Sequence, residues 1–371
     1  MSSCIGNVLR LSVFGQSHAA AVGCTLDGVP AGYPIDLDEL QRFLDRRAPG
    51  RDATATSRNE ADKVRIVSGI VDGYTCGAPI AGVIVNDDTR SVDYEELGRI
   101  PRPGHADYTA FIKYRGHHDV AGGGHFSGRL TAPLCIAGGI AKQVLARHGV
   151  RIAAHISALG PRPVVDEPLD AMHIVPKQID SIRSNSLPCI DPDAASAMRD
   201  TISHAKLSLD SVGGTIECVA YGMPAGIGDP MFDGIENRIA RIAFGIPAVK
   251  GVEFGDGFAS ARRYGSEHND PYHLVDGTAQ PMSNNAGGIL GGITTGLPIV
   301  WNMSIKPTPS IGRKQASVDL VEGHETVLSI RGRHDPCIVP RAVPVAEAVC
   351  ALALLDALLE DAAPVMPPLE A

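Results

Sequence analysis

The chain has 371 residues, 44% of them hydrophobic and 5% aromatic, enough apolar material for one large core or for several ordinary domains. A formal net charge of −9 excludes a broad basic face for nucleic acid or an anionic membrane, but not a local arginine pocket for a small anion. Eight cysteines show neither a CxxC pair nor a zinc-ligand spacing, and the N-terminal MSSCIGNVLRLS has no long apolar run, which points to reduced thiols in a cytoplasmic protein.

In chain order, NVLRLSVFG alternates as a strand does, and AAVGCTLDG supplies a second strand that leads into GVPAG. In DLDELQRFLDRR, Leu37, Leu40, Phe43 and Leu44 recur at helical spacing, with Asp36 as N-cap. Residues 63–86 read as two strands joined by a turn containing Asp-Gly, and Thr131–Arg147 as a helix. Residues 161–192, rich in proline and polar side chains, form an excursion. The apolar run from Val343 to Leu359 carries Glu347 and Asp356, so it reads as a buried or interface helix and not as a membrane span. The last ten residues, AAPVMPPLEA, are expected to fray.

The second half repeats this order. GVPAG at 28–32 returns as GMPAG at 222–226, and VRIVSGIVDG at 64–73 returns loosely as VKGVEFGDG at 249–257. GAPIAGVIVN at 77–86 returns as GLPIVWNMSI at 296–305, and GHHD at 116–119 as GRHD at 332–335, each followed by a long Ala-rich helix. Four matches in one order point to a duplication, with related halves at about 7–150 and 205–360 and a cleft along their seam.

The reactive side chains gather in loops. His18, His105, His117, His118, His125 and His334 flank glycine- or proline-rich turns, where a rigid scaffold presents groups able to move a proton near neutral pH. HEXXH is absent and HHD is too tightly spaced for one helix face, so no metal site is expected. Arg46, Arg47, Arg102, Arg129 and Arg333 stand beside similar turns, and several such forks suit a substrate with several negative groups. AGGGHFSGRL at 121–130 is either an anion cradle or a turn; it lacks the endings of the nucleotide-binding loops. KPTPSI at 306–311 suits a phosphate or the edge of a flavin ring, and NNAGGILGGI at 284–293 brings backbone close to something flat or charged; ordinary turn chemistry accounts for both equally well.

Taken together, FGQSHA, GVPAG, DRRAPG, RPGHADYT, the GGG run with SGRLTA, VKGVEFGDGF, NNAGGILGGI, KPTPSI and GRHDPC resemble the chorismate synthase family in identity and order, from about residue 7 to residue 360. The resemblance implies an α+β fold, a β-α-β sandwich with an internal pseudo-twofold duplication, spanning residues 1–371 as a single domain and assembling as a homotetramer. It implies a lyase that converts 5-enolpyruvylshikimate 3-phosphate to chorismate and phosphate by 1,4-anti elimination, with reduced FMN as cofactor. NADPH enters only as a source of reducing equivalents, and a separate flavin reductase is an expected partner if the chain does not reduce its own flavin. A flavin-binding paralogue without this activity is the alternative.

Carried over by motif, His18, His105 and Asp335 match catalytic positions. One histidine of the pair protonates the departing phosphate and the other keeps the reduced flavin in its productive protonation state; Asp335 assists proton movement at flavin N5. Ser17, Arg47, Arg102, Ser127, Arg129 and Arg333 match substrate contacts. His125, Phe126, Ser127, Pro247, Ala248, Gly291, Lys306, Pro307, Thr308, Pro309, Ser310 and Arg333 fall where the family binds FMN. The chain departs from the family's common pattern at Gln16 and Ala19, and His125, Phe126 and Leu130 replace arginine, serine and glutamate. Pro247 replaces an asparagine, and Ala53 stands where an arginine is expected, with Arg51 close by as a substitute.

Overall fold

The computed structural model describes residues 3–48, 62–86, 98–163, 168–185, 187–330 and 335–361. The first sheet begins with β1 (Cys4–Ile5), β2 (Arg10–Gly15) and β3 (Ala21–Asp27) and is completed by β4 (Arg65–Ser68) and, after the small hairpin β5 (Ile70–Val71) and β6 (Tyr74–Thr75), by β7 (Ile80–Val85). All its neighbours are antiparallel, in the order β1-β2-β3-β7-β4. The expected Asp-Gly turn is the tip of the β5–β6 hairpin, where Asp72 and Gly73 take φ of 50° and 82°.

The second sheet is built from β8 (Arg151–Leu159), β9 (Arg162–Pro163), β10 (Gly214–Tyr221) and β11 (Val249–Phe254). Two hairpins follow, β12 (Tyr272–Val275) with β13 (Thr278–Pro281) and β14 (Ile289–Leu290) with β15 (Ile293–Thr294). Strand β16 (Ile299–Ile305) then enters the sheet, and β17 (Gln315–Asp319) pairs with β18 (His324–Leu328) outside it. Its order, β11-β16-β10-β8-β9, repeats that of the first sheet when β2, β3, β7 and β4 are matched to β8, β10, β16 and β11. We read the sheets as two copies of one unit. Strand β8 lies before residue 205, where the second half was expected to begin, yet it pairs with β10 along its whole length. The second sheet therefore also draws on residues ahead of 205.

The helices are α1 (Leu37–Arg47), α2 (Asp107–Tyr114), α3 (Thr131–Arg147), α4 (Pro176–Ser184), α5 (Pro192–Leu207), α6 (Ile235–Ala243), α7 (Gly265–His268) and α8 (Val339–Asp361). Asp36 caps α1 as expected, its Oδ1 accepting from the N–H groups of Asp38 and Glu39 at 2.8 and 2.9 Å. Leu40, Phe43 and Leu44 enter the core, whereas Leu37 on the first turn is exposed. Helix α3 lies on the first sheet and α8 on the second, and the two pack against each other, so one continuous core runs from sheet to sheet through a helical layer. Their crossing is close: a Cβ at Gly138 would sit 2.2 Å from the Cβ of Ala348.

Helix α8 is buried on every side, although it is long and apolar enough to cross a membrane. Its two buried acids are fully engaged. Asp356 accepts from the backbone N–H groups of Asn7, Val8 and Leu9, and Glu347 binds Arg46 of α1 and Lys142 of α3. Burial pushes the Glu347 carboxyl up, but these two cations override it and hold the group at about 2. The excursion covers the outer face of the second sheet, with Leu169 and Ile182 over Val219 and Tyr221.

Candidate active site

The RPGHAD segment leads into α2, and its residues lock together before the helix begins. The Arg102 guanidinium forks onto Asp107, with Nε 2.7 Å from Oδ2 and the terminal NH2 nitrogen 2.8 Å from Oδ1; the Arg102 backbone N–H also donates to Oδ2 at 3.0 Å. The other terminal nitrogen of Arg102 donates to the Ser310 hydroxyl at 3.1 Å, which ties the KPTPSI loop to this corner. His105 Nδ1 lies 2.5 Å from Asp107 Oδ1. Burial raises the Asp107 carboxyl, but hydrogen bonds and charge from Arg102 and His105 hold it far below the usual carboxylate range. Asp107 was not among the expected site residues; its local signal is an acid two residues after a loop histidine, at the first position of a helix.

The triple glycine serves as a spacer. Gly122 and Gly123 take φ of 59° and 84°, a region that favours glycine. A Cβ on Gly122 would lie 2.3 Å from His18 Cε1 and 2.5 Å from the Ser17 hydroxyl oxygen, and one on Gly123 would lie 3.2 Å from the His105 ring. Two adjacent residues without side chains thus make room for His18 at one and His105 at the next. Gly124 accepts from the Ser17 N–H at 3.1 Å. His125, which replaces the family's arginine, has both ring nitrogens occupied: Nδ1 donates to the Gly15 carbonyl at 2.8 Å, and Nε2 then accepts from the Ser3 hydroxyl at 2.9 Å.

Arg47, on the last turn of α1, and Arg129, after the glycine run, both bind the wholly buried Asp62. Thr131 accepts from Arg47 Nε at 3.2 Å and Asn86 from Arg129 Nε at 3.0 Å, so each guanidinium is fixed on two sides. Burial raises the Asp62 carboxyl and the two arginines lower it, with a net shift downwards. Asp62 was also missed. It lies 15 and 67 residues from its partners, and no local pattern marks it.

These groups open onto a cavity of about 640 Å³. Arg47, Arg102, His105, His125, Phe126, Ser127 and Arg129 form one wall, contributed by the first half of the chain. A second wall, from the second half, is more apolar, with Phe244, Ile246, Pro247, Ala248, Ile338, Ala342 and Val345, and carries Lys250 and Lys306. Thr308, Pro309, Ser310, Asp335 and Arg341 complete the lining. Asp335 Oδ2 is 2.5 Å from a terminal nitrogen of Arg341, whose Nε donates to the Arg47 carbonyl at 3.1 Å. Burial, and then the neighbouring charge of Lys250, lowers the Lys306 amine.

Most of the expected positions therefore converge. Ser17 and His18 stand one layer behind the lining, at Gly122. Pro307 is exposed and outside the lining. Gly291 is not brought to this cavity: it closes the β14–β15 hairpin, exposed and at a φ of 64°, beside Gly292, which abuts the Asp229 carbonyl. Arg333, with Arg51 and Ala53, lies outside the described residues.

The sequence profile of the chorismate synthase family matches residues 9–359. The chain belongs to the chorismate synthase family. It is 46% identical to the chorismate synthase of Thermococcus kodakarensis over 354 residues, covering 95% of this chain and 97% of that protein. With the chorismate synthase of Korarchaeum cryptofilum it shares 44% identity over 358 residues, 96% of this chain and 97% of the relative. A crystal structure of a chorismate synthase superposes with a TM-score of 0.75 at 28% identity, covering 96% of this chain and 93% of that one. As a member of this family the chain is an enzyme, a lyase of the shikimate pathway, and its mixed helix-and-sheet architecture is that of a chorismate synthase.

Proposed function

We propose that the chain converts 5-enolpyruvylshikimate 3-phosphate to chorismate and phosphate by a 1,4-anti elimination that requires reduced FMN. The observation that carries this reading is the packing of His18 at Gly122 and of His105 at the adjacent Gly123, beside a cavity lined by three guanidinium groups from Arg47, Arg102 and Arg129. A substrate with one phosphate and two carboxylates suits that wall, because guanidinium forks hold such groups in two-point geometry. The cavity volume falls within the range of roughly 300–1,000 Å³ common for small-molecule sites.

The residues also fit a flavin. Phe126, Pro247 and Ala248 present apolar surface to a planar ring, while Lys250 and Lys306 offer charge to a phosphate. Among the described residues, Lys306 Nζ has the Pro307 carbonyl as its hydrogen-bond acceptor, at 3.4 Å. Thr308, Ser310 and Asp335 also line the cavity. Bound reduced FMN supplies electron density to the substrate and a basic ring nitrogen, N5, for the ring proton that leaves.

The chain's own groups do the rest. Arg47, Arg102 and Arg129 hold the anionic groups and orient the scissile bond. His105 faces the cavity beside Arg102, so it gives its proton to the departing phosphate. His18, behind Gly122, keeps the reduced flavin in its productive protonation state. Ser127, in the cavity lining, donates a hydrogen bond to the substrate, and Asp335, held by Arg341, assists proton removal. The enzyme acts in the cytoplasm as a homotetramer, with NADPH or a separate reductase supplying the reduced flavin.

The test is phosphate release from 5-enolpyruvylshikimate 3-phosphate by the purified chain with anaerobically reduced FMN. Release dependent on both components is expected. Tight flavin binding without release would identify a paralogue that has lost the reaction, and the absence of both would overturn the cofactor as well.

A further inference from the structure

We propose that Asp62 is a positioning residue for substrate binding: its one carboxylate bridges Arg47 and Arg129 and presents both guanidiniums to a single anionic group. This rests on the substrate-binding role of those arginines proposed above. The two come from distant segments, Arg47 from the last turn of α1 and Arg129 from the residues before α3. Asp62 Oδ2 accepts from a terminal nitrogen of Arg47, and Oδ1 from a terminal nitrogen of Arg129. The oxygens of a carboxylate share one carbon, so these two nitrogens are held as near to each other as one such group spans. Both arginines line the cavity, whereas Asp62 is wholly buried and does not. It is placed to act through the guanidiniums and not on the substrate itself.

The position calls for a charge and not only for an acceptor. Two guanidiniums so close repel each other, and burial removes the water that would screen them. Thr131 and Asn86 accept from their Nε atoms at 3.2 and 3.0 Å, but neutral oxygens set a direction without offsetting charge. Arg341 adds a third cation, with its Nε on the Arg47 carbonyl at 3.1 Å. Burial, and then the charge of Arg47, lower the Arg341 guanidinium, while Asp335 and Asp62 raise it. One negative charge at Asp62 therefore holds the pair together and still leaves it net positive for an anion. Two other roles make different predictions. A fold anchor would leave binding unchanged in any variant that folds. A carboxylate that competes with the substrate would give tighter binding when removed.

Asp62→Asn keeps the shape, removes the charge and turns one of the two acceptors into a donor. Turnover with reduced FMN should be compared for the wild type, Asp62→Asn, Arg129→Ala and the double variant. A separate readout needs neither flavin nor turnover: the affinity of each full-length protein for inorganic phosphate, measured by calorimetry. We expect Asp62→Asn to raise KM about tenfold and to weaken phosphate binding by a similar factor, with kcat moving less than about threefold. The double variant should lose less than the product of the two single losses. Asp62→Glu keeps the charge but is one methylene longer, so its KM should fall between those of Asp62→Asn and the wild type.

Unchanged KM and phosphate affinity in folded Asp62→Asn, with only the melting temperature lowered, would make Asp62 a fold anchor and overturn the proposal. Tighter binding would make it a competitor and overturn it too, as would single losses that multiply in full in the double variant. If neither Asp62 variant folds, a structure of the wild type with inorganic phosphate bound decides. Phosphate on Arg47 and Arg129, with both ion pairs to Asp62 kept, supports the proposal; phosphate in place of Asp62, or away from the two arginines, overturns it. A wild type that binds phosphate at these arginines but releases none from 5-enolpyruvylshikimate 3-phosphate would remove the reaction and leave the grip, so the two failures are distinguishable.

Discussion

The two walls of the cavity come from matched elements and have opposite chemistry. On the first, α1 ends in Arg47, and the segment before α3 contributes His105, Ser127 and Arg129. On the second, the matched α6 ends at Ala243 and is followed by Phe244, Ile246, Pro247 and Ala248, with Ile338, Ala342 and Val345 from the α8 side. The first half lines the cavity with three arginines, and the second with apolar side chains, two lysines and Arg341. The polyanion and the planar cofactor proposed above would suit those two linings. The chain is acidic as a whole, yet six cationic side chains line this one cavity.

The sharpest way to break the comparison is on the guanidinium wall, at the residue proposed to move a proton. His105→Ala is expected to reduce kcat by about a hundredfold or more, with the circular dichroism spectrum and melting temperature unchanged. Near-normal turnover would remove His105 from the mechanism and make the first wall a binding surface only.

Next is the joint that holds the walls together. Arg46 and Arg47 are adjacent on α1, but Arg46 turns to Glu347 on α8 while Arg47 turns to the cavity. Glu347→Gln should destabilise the fold by about 3 kcal/mol, near the low end for breaking a buried pair, because the side chains of Arg46 and Lys142 remain 33% and 23% exposed and can reach water. Because the folded-state pKa of Glu347 is depressed, its contribution is present above the unfolded carboxylate value and is lost as pH falls from about 4.5 to about 2. Melting temperatures of Glu347→Gln should therefore flatten over that acid range while the wild type falls. Parallel curves would place the acid sensitivity elsewhere, for instance at Asp62.

These expectations also show what the sequence could reveal. Where a structure is local it was legible: Asp36 caps α1, Asp72 and Gly73 make the β5–β6 turn, and the acids in the α8 segment pointed away from a membrane span. Leu37 fitted the helical period, yet it faces solvent, because apolar spacing cannot say where the buried stripe begins. Strand β8 was missed as part of the second sheet because its partner β10 lies beyond the excursion, and pairing at that separation leaves no local trace. The same distinction holds in the site. His105 and Asp107 are two residues apart and could have been read together, whereas Asp62 reaches Arg47 and Arg129 only through the fold.

Arg129→Ala tests the grip itself. Charged hydrogen bonds contribute about 1.5–3 kcal/mol, so KM for the phosphorylated substrate should rise by about ten- to a hundredfold. Asp62 would keep Arg47 as its partner, which limits the damage to folding. An unchanged KM would mean that Asp62 already occupies both guanidiniums in the working enzyme, and the anion grip would shrink to Arg102.

The smallest effect belongs to the apolar wall and has the opposite sign. Ala248 holds a φ of 76°, where a side chain is strained, and its carbonyl is fixed by the Lys306 N–H at 2.9 Å. Glycine would relieve about 1 kcal/mol of that strain, and the entropy glycine adds to the unfolded chain takes back roughly half or more. Ala248→Gly should thus raise the melting temperature slightly, by less than about 2 °C, while weakening flavin affinity, because the methyl that faces the cavity is gone. If stability instead falls, the alanine is not strained in the native wall. If flavin affinity is unchanged, that methyl does not meet the ring, and the apolar wall serves some group other than the cofactor.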